Sequence, residues 1–389
     1  MADAGGWRRK PALRPGALLI QGAVVLAIAL FAITVSKNVA ANMARLDVKT
    51  GFDFLWRGAG FDIALKLIPY TEQSTYFRAF LVALLNTVAV ALVAAILATI
   101  LGFLVGFARL SRSPVLSGLA GVYVDVVRNV PLLLQLFYWY FAVLGALPAA
   151  RQSMDLFGVA FLNKRGLVVP APVATQASAV SAALLIAGAL CAWMSERHAR
   201  RHRIETGQPW KWRLAAPACA LVALGVETLV EGWPLRWDIP ELRGFNFSGG
   251  VSLIPEMVAM IVALSVFSAA FIAELVRAAV LSVPKGQTEA ALALGLSRWR
   301  IGVAIVVPQA MRALVPPLTG EYIHLLKNSS LGAAIAFPDL MLVVAGTTLN
   351  QTGQPLEVMF MTMAAYLALC LLISSLGNLV NRRYQLVER

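Results

Sequence analysis

Long apolar runs separated by short polar connections dominate the chain, and crossing a bilayer core takes about 20 such residues in a helix. About eight runs meet that requirement: residues 17–36, 80–108, 115–146, 174–194, 214–231, 255–281, 303–345 and 357–380. The pattern predicts an all-α polytopic membrane protein. The run at 303–345 is too long for one straight crossing, because about 43 helical residues extend roughly 65 Å. It has to bend, and Pro316, Pro317 and Gly320 offer the break. Lys327–Ser330 then marks polar backbone that must line a cavity or pack against protein rather than lipid.

Composition agrees: 59% of residues are hydrophobic, only 14% are charged, and the mean hydropathy is +0.74. The net charge of +13 does not point to nucleic acid, since the basic residues are spread among short connections and not gathered on one soluble face. It points to membrane orientation instead. Placing the N-terminus inside puts Arg8, Arg9, Lys10 and Arg14, then Arg109 and Arg112, the run from Arg197 to Arg213, Lys285, Arg298 and Arg300, and finally Arg382, Arg383 and Arg389 in the cytoplasm. The stretch from Lys37 to Arg78 carries six basic residues outside, which long translocated segments tolerate. An even number of crossings returns the C-terminus to the cytoplasm. The first run, preceded by WRRKPALR, is longer than a signal core and lacks a small-x-small cleavage site, so it reads as a retained anchor. Cys191, Cys219 and Cys370 show no metal or redox spacing.

Between two of these runs lies EAALALGLSRWRIGVAIVVP, residues 289–308. Its first half forms a short amphipathic helix, with Ala291, Leu292, Leu294 and Leu296 apolar and Glu289, Arg298 and Arg300 wet. Gly295 permits a tight turn or the close approach of a partner's backbone, and Pro308 can open the next crossing without losing a needed donor. The spacing resembles the EAA motif of membrane subunits of ATP-binding-cassette importers, with Val307 where the motif has Leu. The resemblance implies that residues 283–301 are a coupling segment docking into a separate ATPase, with Glu289, Ala290, Ala291, Gly295 and Leu296 as its contact residues.

Further phrases extend the likeness to the polar and general L-amino-acid branch of type I importers over about residues 80–385: LLNTVAVALVAAILATILGFLVGFARLS, VRNVPLLLQLFYWYF, VALSVFSAAFIAELVRAAVLSVPKGQTEAA and LLKNSSLGAAI. The implied arrangement is a five-helix permease core at 80–385, preceded by an anchor and external segment at 1–79. Two extra helices at 147–254 interrupt it, as in the larger permeases that pair with a second, non-identical permease. The tract 233–250, rich in Gly, Pro and aromatics, reads as an external loop. The implied partners are a cytosolic ATPase dimer that binds the ATP, a second homologous permease and a periplasmic amino-acid-binding protein, at a bacterial inner membrane. No cofactor is implied for this chain.

Arg128 falls about thirteen residues into its run, near mid-bilayer, where a cation faces a pathway or a partner. Two readings stand: Arg128, or backbone freed near Asn129 and Pro131 with Gln135 beyond, meets a substrate carboxylate, or Arg128 pairs with Glu274. Glu274 and Arg277, spaced i, i+3, can also pair with each other, and a substrate-ammonium role for Glu274 is a further reading. Lys327, with Glu321 and His324, forms a third polar cluster. The aromatics from Phe137 to Phe141 read as a packing or interfacial surface.

Absences narrow the choice. No G-x-x-x-x-G-K-[ST] loop exists to cradle phosphates, and FSGGV at 247–251 lies in the expected external loop. The three histidines, His198, His202 and His324, make no metal site. An ion-coupled secondary transporter is the main rival reading; it has no use for an EAA segment. A non-transporting membrane scaffold is the other.

Overall fold

The structure, a computed structural model, describes residues 15–45, 50–174, 176–206, 218–219, 222, 235–244 and 246–384. Its helices are α1 (Pro15–Arg45), α2 (Tyr76–Arg109), α3 (Pro114–Asn129), α4 (Leu132–Phe137, continued to Leu144 with π-helical pitch), α5 (Gln176–Thr206), α6 (Pro255–Leu281), α7 (Lys285–Ala293), α8 (Arg298–Ile301), α9 (Val307–Asn328), α10 (Leu349–Thr352) and α11 (Pro355–Tyr384). Among the described residues five helices are long and apolar enough to cross a membrane, namely Leu19–Arg45, Tyr76–Arg109, Pro255–Leu281, Arg298–Ile335 and Pro355–Arg382, and the bent pair α3–α4 makes a sixth. Of the eight expected crossings, the run at 174–194 overlaps α5 from Gln176 onward, which is outside that set, and the run at 214–231 lies almost wholly outside the described residues.

The centre of the bundle is α6. Apolar residues surround it on all sides, and Ala259, Ala263, Ala269, Ala270 and Ala273 are fully or almost fully buried, the signature of a helix enclosed by others. Its closest neighbour is α2, and two glycines set the distance. A Cβ on Gly102 would stand 2.6 Å from Ile272 Cβ and 3.1 Å from the Ala269 carbonyl; on Gly106 it would stand 2.9 Å from both the Ala273 carbonyl and Val276 Cβ. Gly102 and Gly106 are four apart on one face, the small-xxx-small arrangement that lets helix backbones meet in lipid.

Both broken segments have local causes. Between α3 and α4 the chain turns through 103°. Val130, preceding Pro131, is forced into an extended conformation (φ −101°, ψ 127°). Pro131 lacks the N–H that would have bonded Val127, and the Gln135 side chain replaces it, donating to the Val127 and Val130 carbonyls at 2.9 Å each.

The second break differs from the expected one. Pro316 and Pro317 sit inside an unbroken α9, since their fixed φ is compatible with a helix. The chain instead turns at Ala336, left-handed at φ 62°, after a 3-10 stretch Ser329–Ile335. A π-helical stretch Met341–Thr348 then leads into α10. Helix α2 holds this turn: Asn86 Nδ2 donates to Pro338 O and to Leu65 O at 2.9 Å each, and the Leu340 amide donates to Thr87 Oγ1 at 3.0 Å. The Leu342 amide donates to Asp339 Oδ1 at 2.8 Å, capping the next stretch. Leu65 belongs to a segment, residues 50–75, that is irregular apart from a 3-10 turn at Asp53–Trp56, and its Phe54, Ile63 and Tyr70 are buried against α2 and the π-helical stretch. There the Tyr70 hydroxyl donates to Phe61 O at 2.9 Å, and burial pushes its pKa up to about 12.

The expectation of an all-α chain holds for the membrane part alone. The chain is mostly helical, yet eight short strands flank α5. Strands β1 (Met154–Leu156), β2 (Ala160–Asn163), β3 (Gly166–Val169) and β8 (Val251–Leu253) form an antiparallel sheet in that order. Strand β4 (Ala171–Ala174) pairs with β5 (Leu235–Asp238), and β6 (Glu241–Arg243) with β7 (Asn246–Ser248). The sheet rests on the bundle: Leu162, Leu167, Leu253 and Ile254 pack against the main core cluster.

The α2–α6 packing predicts opposite signs for one chemical change. Gly106→Ala, forced against α6, should cost about 1–3 kcal/mol. Gly118→Ala on α3, where a Cβ meets nothing within 4 Å, should be neutral or stabilise by up to about 1 kcal/mol. Thermal melting of the detergent-solubilised protein reads both, and equal shifts would reject the close contact.

Candidate functional site

Two regions concentrate the candidate residues. The first follows the end of α6 remote from the sheet. Helix α7 carries Glu289, Ala290 and Ala291, and closes by two reversed hydrogen bonds: the Leu296 amide donates to Ala291 O at 3.2 Å and the Gly295 amide to Leu292 O at 2.9 Å. That is a Schellman closure with glycine at its left-handed position, φ 75°. A Cβ on Gly295 would meet nothing within 4 Å, so the backbone angle, not crowding within this chain, calls for glycine. Ser297 then caps α8, accepting from the Arg300 amide at 3.4 Å.

The burial pattern departs from the amphipathic expectation. Ala291 is buried and Leu296 half-buried, while Glu289 and Ala290 are exposed. Leu292, Leu294 and Trp299 are also exposed, Leu294 and Trp299 at about four-fifths of their surface (80% and 79%). The segment therefore presents large apolar side chains away from its own bundle. Pro308 does not open the crossing as expected, because α8 runs into α9 through a π-helical stretch, Gly302–Val306, and the helix is already formed before the proline.

The second region is a cavity of about 240 Å³ lined by Arg128, Phe271, Glu274, Leu275, Pro317, Gly320, Glu321 and His324. Arg128 is fourteen residues from the start of α3 and Glu321 fourteen from the start of α9, so both lie about 21 Å along their helices. The Arg128 guanidinium stands over the Phe271 ring, 4.9 Å from its centroid, a cation–π contact. Arg128 makes no ion pair among the described residues. Glu274 is taken by other partners: Arg277 Nη2 at 2.6 Å on its own helix and Arg109 at the end of α2. The i, i+3 pair is thus present and a direct Arg128–Glu274 pair is not.

The remaining candidates take separate places. Asn129 Nδ2 donates to Asp125 O at 2.7 Å. Gln135 bridges the α3–α4 bend as described, its amide engaged with backbone. Lys327 is exposed in the last turn of α9 and does not line the cavity, whereas its neighbours Glu321 and His324 do. Glu321 is buried, with only 9% of its surface exposed. The spacing of Glu321 and His324 could show that they share a helix face, but not that the face meets Arg128, because that depends on how α3 and α9 cross α6.

Residues 98–386 match the family model of the binding-protein-dependent transport system inner membrane component. The chain is 44% identical over 361 residues to the putative amino-acid ABC transporter permease protein YhdX of Escherichia coli strain K12, with 90% of each chain covered. It is 43% identical to the general L-amino acid transport system permease protein AapQ of Rhizobium johnstonii, covering 91% of this chain and 88% of that one. It is 35% identical to the glutamate/glutamine/aspartate/asparagine transport system permease protein BztB of Rhodobacter capsulatus, covering 90% and 89%.

The charge arrangement predicts a specific mutational pattern. Glu274→Gln leaves two guanidiniums without their carboxylate and should cost about 1–3 kcal/mol, the range for losing charge-assisted bonds at a partly buried site. Arg128→Gln, with no ion pair to lose, should melt close to the wild type. The double variant should melt like Glu274→Gln alone; recovery in the double variant would reinstate an Arg128–Glu274 pair.

Proposed function

This chain belongs to the binding-protein-dependent transport system inner membrane components, and on that premise we infer how its parts divide the work of import. It is the permease component of a binding-protein-dependent ABC importer of amino acids, a multi-pass inner-membrane protein and not itself an enzyme. Membership implies a complex with an ATPase and a binding protein, which sets aside the secondary-transporter and scaffold readings.

The observation that carries the finer reading is the coupling segment. A left-handed glycine closes α7 so that Leu292, Leu294 and Trp299 project from the bundle, and burying such side chains in a groove of an ATPase supplies the driving force for docking. Residues 283–301 are therefore the coupling segment, with Glu289, Ala290, Ala291, Gly295 and Leu296 at or beside the contact. Closure of an ATPase dimer around ATP displaces this segment and, through α6 and α9, switches the cavity between outward and inward access. A second, unlike permease completes the pathway. The two inserted helices bring the crossings to eight, with both termini cytoplasmic.

The cavity suits an α-amino acid in transit. Arg128, without a carboxylate partner, meets the α-carboxylate, and Glu321 across the cavity meets the α-ammonium, so the groups shared by all such substrates are the ones recognised. Phe271, Leu275 and Pro317 offer an unselective apolar wall. Asn129 and Gln135 keep the bend that aims Arg128, Glu274 anchors the cytoplasmic side, and Lys327 stands at the outer end of the path.

Uptake of labelled amino acid into proteoliposomes holding the whole complex tests the assignment. Gly295→Trp should abolish ATP-driven uptake and weaken ATPase association while the chain still inserts. Arg128→Gln should lower uptake at least about tenfold, the scale of one lost charge-assisted contact, with assembly and basal ATP hydrolysis retained. Wild-type uptake in Gly295→Trp would refute the coupling role, and wild-type uptake in Arg128→Gln the substrate role.

The topology is checked separately by thiol labelling. Single cysteines replacing Arg200 and Gly249 should react from opposite faces of the membrane, the first from the cytoplasm. Reaction from one face would remove a crossing from the insertion.

A further inference from the structure

The hairpin joining β1 to β2 carries a residue that neither the fold nor transport through the bundle explains. Phe157 and Gly158 are the central residues of its turn, and both are left-handed, at φ 62° and 74°. Such turns favour Asn, Asp or Gly because a Cβ is strained there. Phenylalanine is an outlier at this angle, and here it is also 96% exposed, with Met154 and Val159 exposed beside it. The residue is unfavourable in its backbone and in its hydration, and strain of this kind gathers at functional positions.

The sheet leaves the tip no freedom to fold away. Its near end is fixed to the bundle: β8 runs through Ile254 into α6, and Leu162, Leu167 and Leu253 pack on the main core. Buried Asn163 locks the turn between β2 and β3, donating from Nδ2 to Ser153 Oγ at 3.0 Å and accepting from the Arg165 amide at 2.8 Å. The register gives the direction. Leu253 pairs with Leu167, which pairs with Leu162, whereas the Phe157 turn follows Leu156 and Ala160 at the other end of the strands. The turn bearing Phe157 therefore lies at the end of the sheet away from the entry to α6. The coupling segment lies beyond the opposite end of α6, whose 27 residues span about 40 Å. The aromatic tip thus lies on the side of the molecule opposite the coupling segment.

We propose that the Phe157 hairpin is a docking element for the soluble amino-acid-binding protein, an aromatic anchor that enters a cleft on that partner. The proposal rests on the importer reading above. Among possible occupants, the bilayer is disfavoured by the direction of the strands, and a protein arriving from the aqueous face opposite the coupling segment is the partner that this family requires there. Central aromatics carry much of the energy of such interfaces. Its place on a hairpin fixed to the bundle limits the conformational entropy lost on docking.

The test uses the complete complex in nanodiscs and its purified cognate binding protein, with ATP hydrolysis followed as the binding protein is titrated. Phe157→Asn removes the ring and suits the left-handed backbone, so the complex should melt no lower than the wild type. Its half-saturating concentration of binding protein should rise about tenfold, typical of a lost aromatic anchor, with the maximal rate unchanged. Phe157→Tyr, which keeps the ring, should titrate like the wild type. An unchanged titration in Phe157→Asn would overturn the proposal, as would quenching of a fluorophore at position 157 by bromolipid. A wild-type complex that no binding protein stimulates would instead strike at the importer reading itself.

Discussion

The contact on which the rest of the molecule depends is the approach of α2 to α6 over Gly102 and Gly106. Lipid provides no hydrophobic drive to bring two helices together, so association relies on close van der Waals packing and on polar contacts that closeness permits. The glycines provide the closeness. The polar contacts follow along the same pair: Ser265 donates to Ala94 O at 3.3 Å, and Arg109 reaches Glu274. From its other faces α2 reaches outward, with Thr99 bonding Tyr322 of α9 at 2.8 Å and Asn86 and Thr87 holding the turn at Pro338–Leu340. A helix displaced by one methyl group would move all of these anchors together.

The two irregular segments show how non-helical backbone is tolerated inside a membrane protein. Each is flanked by proline, and at each a side-chain amide takes up carbonyls that the helix cannot satisfy. Gln135 does so from one turn beyond the bend, and Asn86 from a neighbouring helix. Accounting for the backbone in this way is the condition for placing a bend away from water. Pro316 and Pro317 cause no break because their fixed φ is compatible with a helix and α9 has no left-handed residue at which to turn.

The sequence made the coupling segment legible because its signal is local: the Glu-Ala-Ala triplet and the glycine that ends the helix lie within seven residues. Six of the eight apolar crossings were legible for the same reason. The location of the second break was not, since Ala336 has no intrinsic preference for a left-handed angle and adopts it where Pro338 and Leu340 are held by α2. Nor was the sheet, whose strands of three or four residues gain their stability from pairing Leu167 with Leu253 across the whole insertion. At the cavity, the charge of Arg128 was visible in the sequence, but its partner was not. The choice of Phe271 over Glu274 was decided by Arg109, a residue at the end of another helix.

The pairing of β3 with β8 has a bearing on how such a chain could have arisen. Val169 and Val251 are register partners, so the points where the insertion leaves and rejoins the sheet lie about one strand spacing, roughly 5 Å, apart. A segment whose two ends meet can be spliced in or out of a gene while the remaining chain closes over the gap with a short turn. The residues between Val169 and Val251 are in that sense a detachable segment, free to diverge in length and composition while the bundle keeps its geometry.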